Sequence, residues 1–173
     1  MNENSRYRFR LVELQDLPLL SVWLKEPLVS RWYTDPDYIS NLEDSLKDNR
    51  IRMQLVLHND VPISYVQDYG IHQWDDHHLG FLPEHSRGID TFMGSAEFMG
   101  KGHGTRYLSL LCTQLFSKGI PALGIDPHPE NIRARSAYRK IGFEEQKEMI
   151  SEWGKVLLMT QHNPMLQEQT SDT

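Results

Sequence analysis

Gly100-Lys101-Gly102-His103-Gly104-Thr105 leads into a stretch, Gly102 to Ser117, that reads as a helix with Tyr107, Leu108, Leu111 and Leu115 on its buried face. Glycine lets a backbone approach a ligand closely and take torsions that other residues avoid. Successive N–H groups at a helix start point at an anion, and the helix dipole adds to their pull. Alternating glycines before a helix therefore suit a pyrophosphate, with Lys101 and Arg106 as further charge. The same pattern also serves as a plain turn. The nucleotide P-loop order fails, because no Gly-Lys-Ser/Thr follows four residues after a first glycine. A dinucleotide fold wants such a loop in an early strand-to-helix turn, with an acidic residue about 20 positions on. Asp126 has about that spacing, but the loop lies past mid-chain, after several antiparallel-looking strands.

Working outward, Arg6 to Glu13 alternates with Tyr7, Phe9 and Leu11 on one face, which predicts a strand. Asp16 reads as an N-cap before Leu17, Leu20 and Leu24 at helical spacing, and Pro27 lies at or just past that helix's end. Val29 to Asp37 reads as a loop, and Ile39, Leu42 and Leu46 as a second short helix. Arg52 to His58 and Ile63 to Tyr69 read as strands joined by an Asn59-Asp60 turn. Ile71 to Pro83 is a polar loop and Ser86 to Met93 a strand. Beyond the glycines, Ala122 to Asp126 is a short strand, and Asp126-Pro127-His128-Pro129 cannot be helix interior. Asn131 caps a helix with Ala134, Ala137, Tyr138 and Ile141 on its apolar side, and Gly142 takes the left-handed position that ends it. Strands near Phe143 to Met149 and Lys155 to Gln161 meet at a Trp153-Gly154 turn. The order predicts a mixed α/β fold, with residues 1–163 as one domain and 164–173 as a frayed tail.

Composition limits the function classes. The chain has 173 residues, 39% apolar and 24% charged, the make-up of a soluble globular protein. No apolar run reaches the roughly 20 residues that span a membrane, and no signal-peptide pattern opens the chain, so a cytoplasmic protein is expected. The net charge of −6 argues against nucleic-acid binding and is compatible with a cationic substrate. The single cysteine, Cys112, excludes an intrachain disulfide and reads as a small core residue.

The glycine loop does not stand alone. Arg87-Gly88-Ile89-Asp90 precedes it, Asp126-Pro127-His128-Pro129-Glu130-Asn131 follows, and then Tyr138-Arg139-Lys140-Ile141-Gly142-Phe143. This set, in this order, resembles the GNAT superfamily of acetyltransferases, and within it the aminoglycoside 6′-N-acetyltransferases. The hydroxylysine acetyltransferases of siderophore synthesis share much of the pattern. The resemblance runs from about Tyr7 to Met159. It implies a mostly antiparallel twisted sheet of about seven strands, a splayed parallel pair at the acetyl-CoA site and about four flanking helices. One position departs from the superfamily: Met99 stands where Arg or Gln is usual. Contacts there are expected mainly from backbone N–H groups, and the aminoglycoside branch shares the departure.

The resemblance also implies direct attack of an amine on acetyl-CoA in a ternary complex. Such a site must hold both reactants, take a proton from an ammonium, stabilise an oxyanion and receive a thiolate. Asp90 is expected at the amine, as binder and as base. An ordinary aspartate titrates near 3.9, a weak base at neutrality, and burial or a second carboxylate could raise it; the plain alternative is a strand-end aspartate bonding its own turn. Asp126, at the next strand's end, is expected to bind amines and share the base role, although Asp-Pro is also a turn-starting pair. Tyr138 is the candidate acid beside the departing sulfur, or a packing residue. Gly100, Lys101, Gly102, His103, Gly104 and Thr105 are expected on the diphosphate. Asn131 and Ala134 are expected along the coenzyme arm, with the backbone of Phe92 and Met93 at the oxyanion. Trp32, Tyr33, Asp68 and Trp74 are candidates for the side that receives a cationic sugar.

His72, His77 and His78 beside Asp75 and Asp76 invite a metal reading. Adjacent histidines in a polar loop rarely converge on one tetrahedral centre, and the chemistry needs no metal, so none is expected. Other acceptors, such as a hydroxylamine or a polyamine, remain open, as does a noncatalytic acyl-CoA sensor. Family members occur as monomers and homodimers, and both states remain open.

Overall fold

In a computed structural model the described residues are 6–167; the expected absence of a signal sequence and the outer part of the expected tail lie outside them. The elements run β1 (Tyr7–Leu11), α1 (Leu17–Leu24), α2 (Pro27–Ser30), α3 (Tyr38–Ser45), β2 (Ile51–His58), β3 (Val61–Gly70), β4 (Arg87–Met93), α4 (His103–Ser117), β5 (Ala122–Ile125), α5 (Ile132–Lys140), β6 (Glu144–Ser151), β7 (Gly154–His162) and α6 (Pro164–Gln167). The strands form one seven-stranded sheet in the order β1-β2-β3-β4-β5-β7-β6. β1 pairs antiparallel with β2, and β7 pairs antiparallel with both β5 and β6. β4 runs parallel to β5, with Arg87 opposite Leu123 and Gly88 opposite Gly124. The mixed α/β sheet is the expected one.

The contacts gather the chain into two compact units. Among the described residues, one takes in 6–68 and Asp90–Tyr107; the other holds Tyr69–Ile89 and 108–167. In the first, Leu20, Trp23, Val29, Leu42, Leu55 and Phe92 belong to one buried cluster. Asn59 and Asp60, both at positive φ (49° and 66°), make the two-residue turn from β2 to β3, the backbone hairpins favour. In the second unit, Leu108, Leu111, Cys112 and Leu115 are buried along α4, as their spacing predicts. Burial pushes the Cys112 thiol up to about 12.

Local expectations needed correction. Tyr7 is buried but Leu11 is 59% exposed, because β1 is an edge strand that ends there and hands over to buried Val12. Asp16 precedes α1 without capping it by its side chain. Its carboxylate instead accepts two bonds from Arg10, at 2.8 and 2.9 Å, and one from the Glu13 N–H at 2.8 Å. The Arg10 bond holds it below the usual carboxylate range. Pro27 lies just past the end of α1, as expected, but it begins a short helix, α2, whose N1 position suits a residue without an N–H, so Val29 and Ser30 are helical where a loop was expected. Residues 164–167, expected in the tail, form α6.

Candidate active site

The glycine loop lies in the first unit. Gly100 and Gly102 take φ values of +73° and +80°, torsions open to glycine and strained for other residues. A Cβ built on Gly100 or Gly104 meets nothing within 4 Å, and one on Gly102 meets only side-chain atoms of Arg106 and Thr105 at 3.9 Å. The bonding of α4 begins with Arg106 N–H on Gly102 O at 3.2 Å, so the amides of His103, Gly104 and Thr105 have no acceptor one turn back. Open space over a row of such N–H groups fits a diphosphate. The His103 side chain turns the other way. It is buried, its Nδ1 lies 2.7 Å from the Tyr7 hydroxyl, and its ring lies 4.6 Å from that of His58. Burial, then the charges of His58, Arg106 and Lys101, hold it below the ordinary histidine value.

Strand β4 carries Asp90, Thr91, Phe92 and Met93. Half-buried Asp90 accepts at Oδ2 from Gln67 Nε2 at 2.7 Å, and Gln67 Oε1 accepts from the Tyr65 hydroxyl at 2.5 Å. The amide is thus held at both ends and aims its N–H at the carboxylate. Burial, with the negative charges of Asp90 and Asp35, raises the Tyr38 phenol. Thr91 Oγ1 donates to Tyr65 O at 2.7 Å, and Ser64 Oγ to Phe92 O at 2.6 Å. The Tyr107 hydroxyl, from the first turns of α4, lies 2.7 Å from Thr91 Oγ1 and 2.8 Å from Ser64 Oγ. The helix that starts at the glycine loop is thereby fastened to the strand that carries Asp90.

Of the expected aromatic pair, Tyr33 donates its hydroxyl to Thr91 O at 2.8 Å and packs edge-on against Phe92. Trp32 carries the Arg31 guanidinium 4.7 Å from its ring centroid, so a cation already covers one indole face. Asp68 is 1% exposed.

The second unit holds the remaining candidates. Asp126 follows β5 directly, and its Oδ2 lies 2.6 Å from His78 Nε2. Asn131 caps α5, its Oδ1 accepting from Ala134 N–H at 3.2 Å. Tyr138 is buried and faces Phe143, with ring centroids 6.3 Å apart. Trp74 packs edge-on against Tyr69 at 5.6 Å. The loop histidines are bound separately: His72 Nε2 at Gly80 O (3.1 Å), His77 Nδ1 accepting from Leu79 N–H (3.1 Å), and His78 at Asp126. Among the described residues no group of three or more His, Cys, Asp or Glu side chains is placed to hold a metal, and no helix is long and apolar enough to cross a membrane.

Sequence reasoning missed Gln67, read Tyr107 only as a packing residue and weighed His78 only as a metal ligand. The one available signal was alternation along β3, which puts Tyr65 and Gln67 on one face.

Comparison with known proteins identifies the family. The family model "Acetyltransferase (GNAT) domain" matches residues 13–150. The aminoglycoside N(6′)-acetyltransferase type 1 of Klebsiella pneumoniae is 28% identical over 174 residues, covering 92% of this chain and 85% of that protein. Among solved structures, AAC(6′)-Ib in complex with paromomycin and acetyl-CoA superposes with a TM-score of 0.83 at 26% identity, covering 96% of this chain and 99% of the other. The same enzyme with coenzyme A and kanamycin gives a TM-score of 0.81 at 27% identity, with the same coverage. A phosphate cradle of open glycines ahead of α4, a seven-stranded mixed sheet and a family model that runs from before α1 into β6 lead to one conclusion: the chain belongs to the GNAT acetyltransferases and is an acetyl-CoA-dependent N-acetyltransferase.

Proposed function

We propose that the acceptor is a small polycationic sugar and the acetylated group the 6′-amine of an aminoglycoside, with Asp90 receiving that amine. The observation that carries this reading is the Tyr65–Gln67–Asp90 chain of hydrogen bonds. It fixes one carboxylate oxygen, Oδ2, and so sets the direction of the other. A carboxylate held this way orients an ammonium and accepts its proton at a defined atom. The named activities of the relatives, aminoglycoside N-acetylation above all, support the choice of acceptor.

Acetyl-CoA, when bound, supplies the electrophilic thioester carbonyl. The chain's own residues do the rest. The backbone N–H groups of Gly102 to Thr105 hold the diphosphate, with Gly100 and Lys101 shaping the approach. Asn131 and Ala134 hold the coenzyme arm, and the backbone of Phe92 and Met93 serves the oxyanion. Tyr138 keeps a phenolic proton for the departing sulfur, an ordinary phenol being protonated up to about pH 10. Asp126 is assigned to a cationic group of the acceptor, and Trp32, Tyr33, Asp68 and Trp74 to its surroundings.

The test is thiol release from acetyl-CoA by purified protein across a panel of amines, including kanamycin-type sugars with and without the 6′-amine. Turnover that requires the 6′-amine is expected; equal turnover with and without it overturns the acceptor assignment. Asp90→Asn is expected to lower kcat by about two to four orders of magnitude and to leave acetyl-CoA affinity within about twofold. Gly102→Val should do the reverse, weakening acetyl-CoA binding first, since φ of +80° strains a β-branched residue.

A further inference from the structure

The His78–Asp126 contact joins a loop residue to a strand end 48 positions away, and both side chains are largely covered, at 14% and 16% exposure. His78 is the hydrogen-bond partner of that carboxylate among the described residues. His77 stacks on His78 with ring centroids 4.4 Å apart and 25° between the planes, and Tyr69 lies 5.5 Å from His77 on the tilt. His77 Nδ1 already accepts the Leu79 N–H, so protonating it breaks that bond. Burial, then the charge of His78, hold His77 below the ordinary histidine value. His72, which also lowers His77, is tied to Gly80 O. The titratable groups around the stacked pair are therefore Asp126 at His78, His72 and Tyr69 at His77, with Asp75 and Asp76 just before them in the loop.

We propose that His78 is a positioning residue that switches the charge of Asp126, so that the His78 proton and a cationic group of the acceptor compete for one carboxylate. As a neutral imidazole, His78 donates Nε2–H to Oδ2 and orients a carboxylate that keeps its full negative charge. As an imidazolium it cancels that charge. By linkage, a cation that binds at Asp126 expels the His78 proton, and lower pH weakens the cation. This rests on the assignment of Asp126 to the acceptor made above. It adds a residue and a pH dependence that the assignment does not require.

The test is calorimetric titration of kanamycin into the protein saturated with coenzyme A, in buffers of different ionisation enthalpy. Wild type is compared with His78→Gln, whose amide keeps a donor at the Nε2 position but does not titrate. Kanamycin's own amines exchange protons equally in both proteins, so the difference reports His78. The wild type should release part of a proton more than the variant. Its affinity should rise roughly three- to tenfold more steeply between about pH 5.5 and about pH 7.5. No kanamycin binding to either protein overturns the acceptor assignment, and this proposal with it. Kanamycin binding with equal proton release and equal pH slope in both overturns the role of His78 and leaves the acceptor assignment standing. If His78→Gln does not fold, NMR of the wild-type imidazoles decides. His78 should titrate at lower pH with kanamycin than without, and an unmoved titration overturns the proposal.

Discussion

A single missing methyl group shows how tightly the strand leading to Asp90 is built. A Cβ added to Gly88 falls 2.4 Å from Cζ and 2.5 Å from Cε2 of Tyr69, whose ring is itself buried. The ring cannot yield freely, because Trp74 and His77 pack against it. Gly88→Ala is therefore expected to destabilise the protein by about 1–3 kcal/mol, the usual cost of overpacking. Denaturant unfolding checks this. Tyr69→Leu combined with Gly88→Ala should cost less than the sum of the two, because removing the ring removes the clash. Strict additivity would place the strain elsewhere.

At the scale of elements, α5 has nine residues, too few to be stable by propensity, so its ends carry weight. Asn131 accepts from Ala134 N–H at the start, and Arg139 and Lys140 stand in the last turn, where cations oppose the dipole. Arg135 reaches from the helix to Glu145 on β6 with two bonds, at 3.0 and 3.2 Å. Asn131→Ala should cost about 1 kcal/mol, and Asn131→Asp much less, since the aspartate still caps. Thermal midpoints of the three proteins check the order. The cap and Gly142, at φ +107°, were both legible because helix ends are written in local sequence. So were β2, β3 and the face of α4, where period and length agree. Edge behaviour was not legible: alternation in β1 predicts a face, and only the sheet order explains why Leu11 is exposed. The glycine cradle and Asp90 were found through motif and resemblance. Gln67, Tyr107 and His78 were not, because their roles depend on partners 23, 16 and 48 positions away. Spacing reports which face is buried, whereas a hydrogen bond across strands is fixed only when the sheet forms.

For the molecule as a whole, buried phenols set an upper pH limit. Burial raises Tyr38, Tyr65 and Tyr107 above the ordinary phenol value, and the nearby charges of Asp90 and Asp35 add to this at Tyr38. The folded state thus holds these protons more tightly than the unfolded chain. The stability they represent is complete below the unfolded value of about 10 and is lost as pH rises from there toward the folded values. Tyrosinate absorbance from these residues is expected to appear together with unfolding, in one cooperative step above about pH 10. A smooth titration of all seven tyrosines with the fold intact would contradict it. The lone thiol obeys the same logic to practical effect. With Cys112 covered and protonated to about 12, the native enzyme contributes no background colour to a thiol-reactive dye. Colour then counts product alone, and a slow rise without substrate signals that molecules are coming undone in the cuvette.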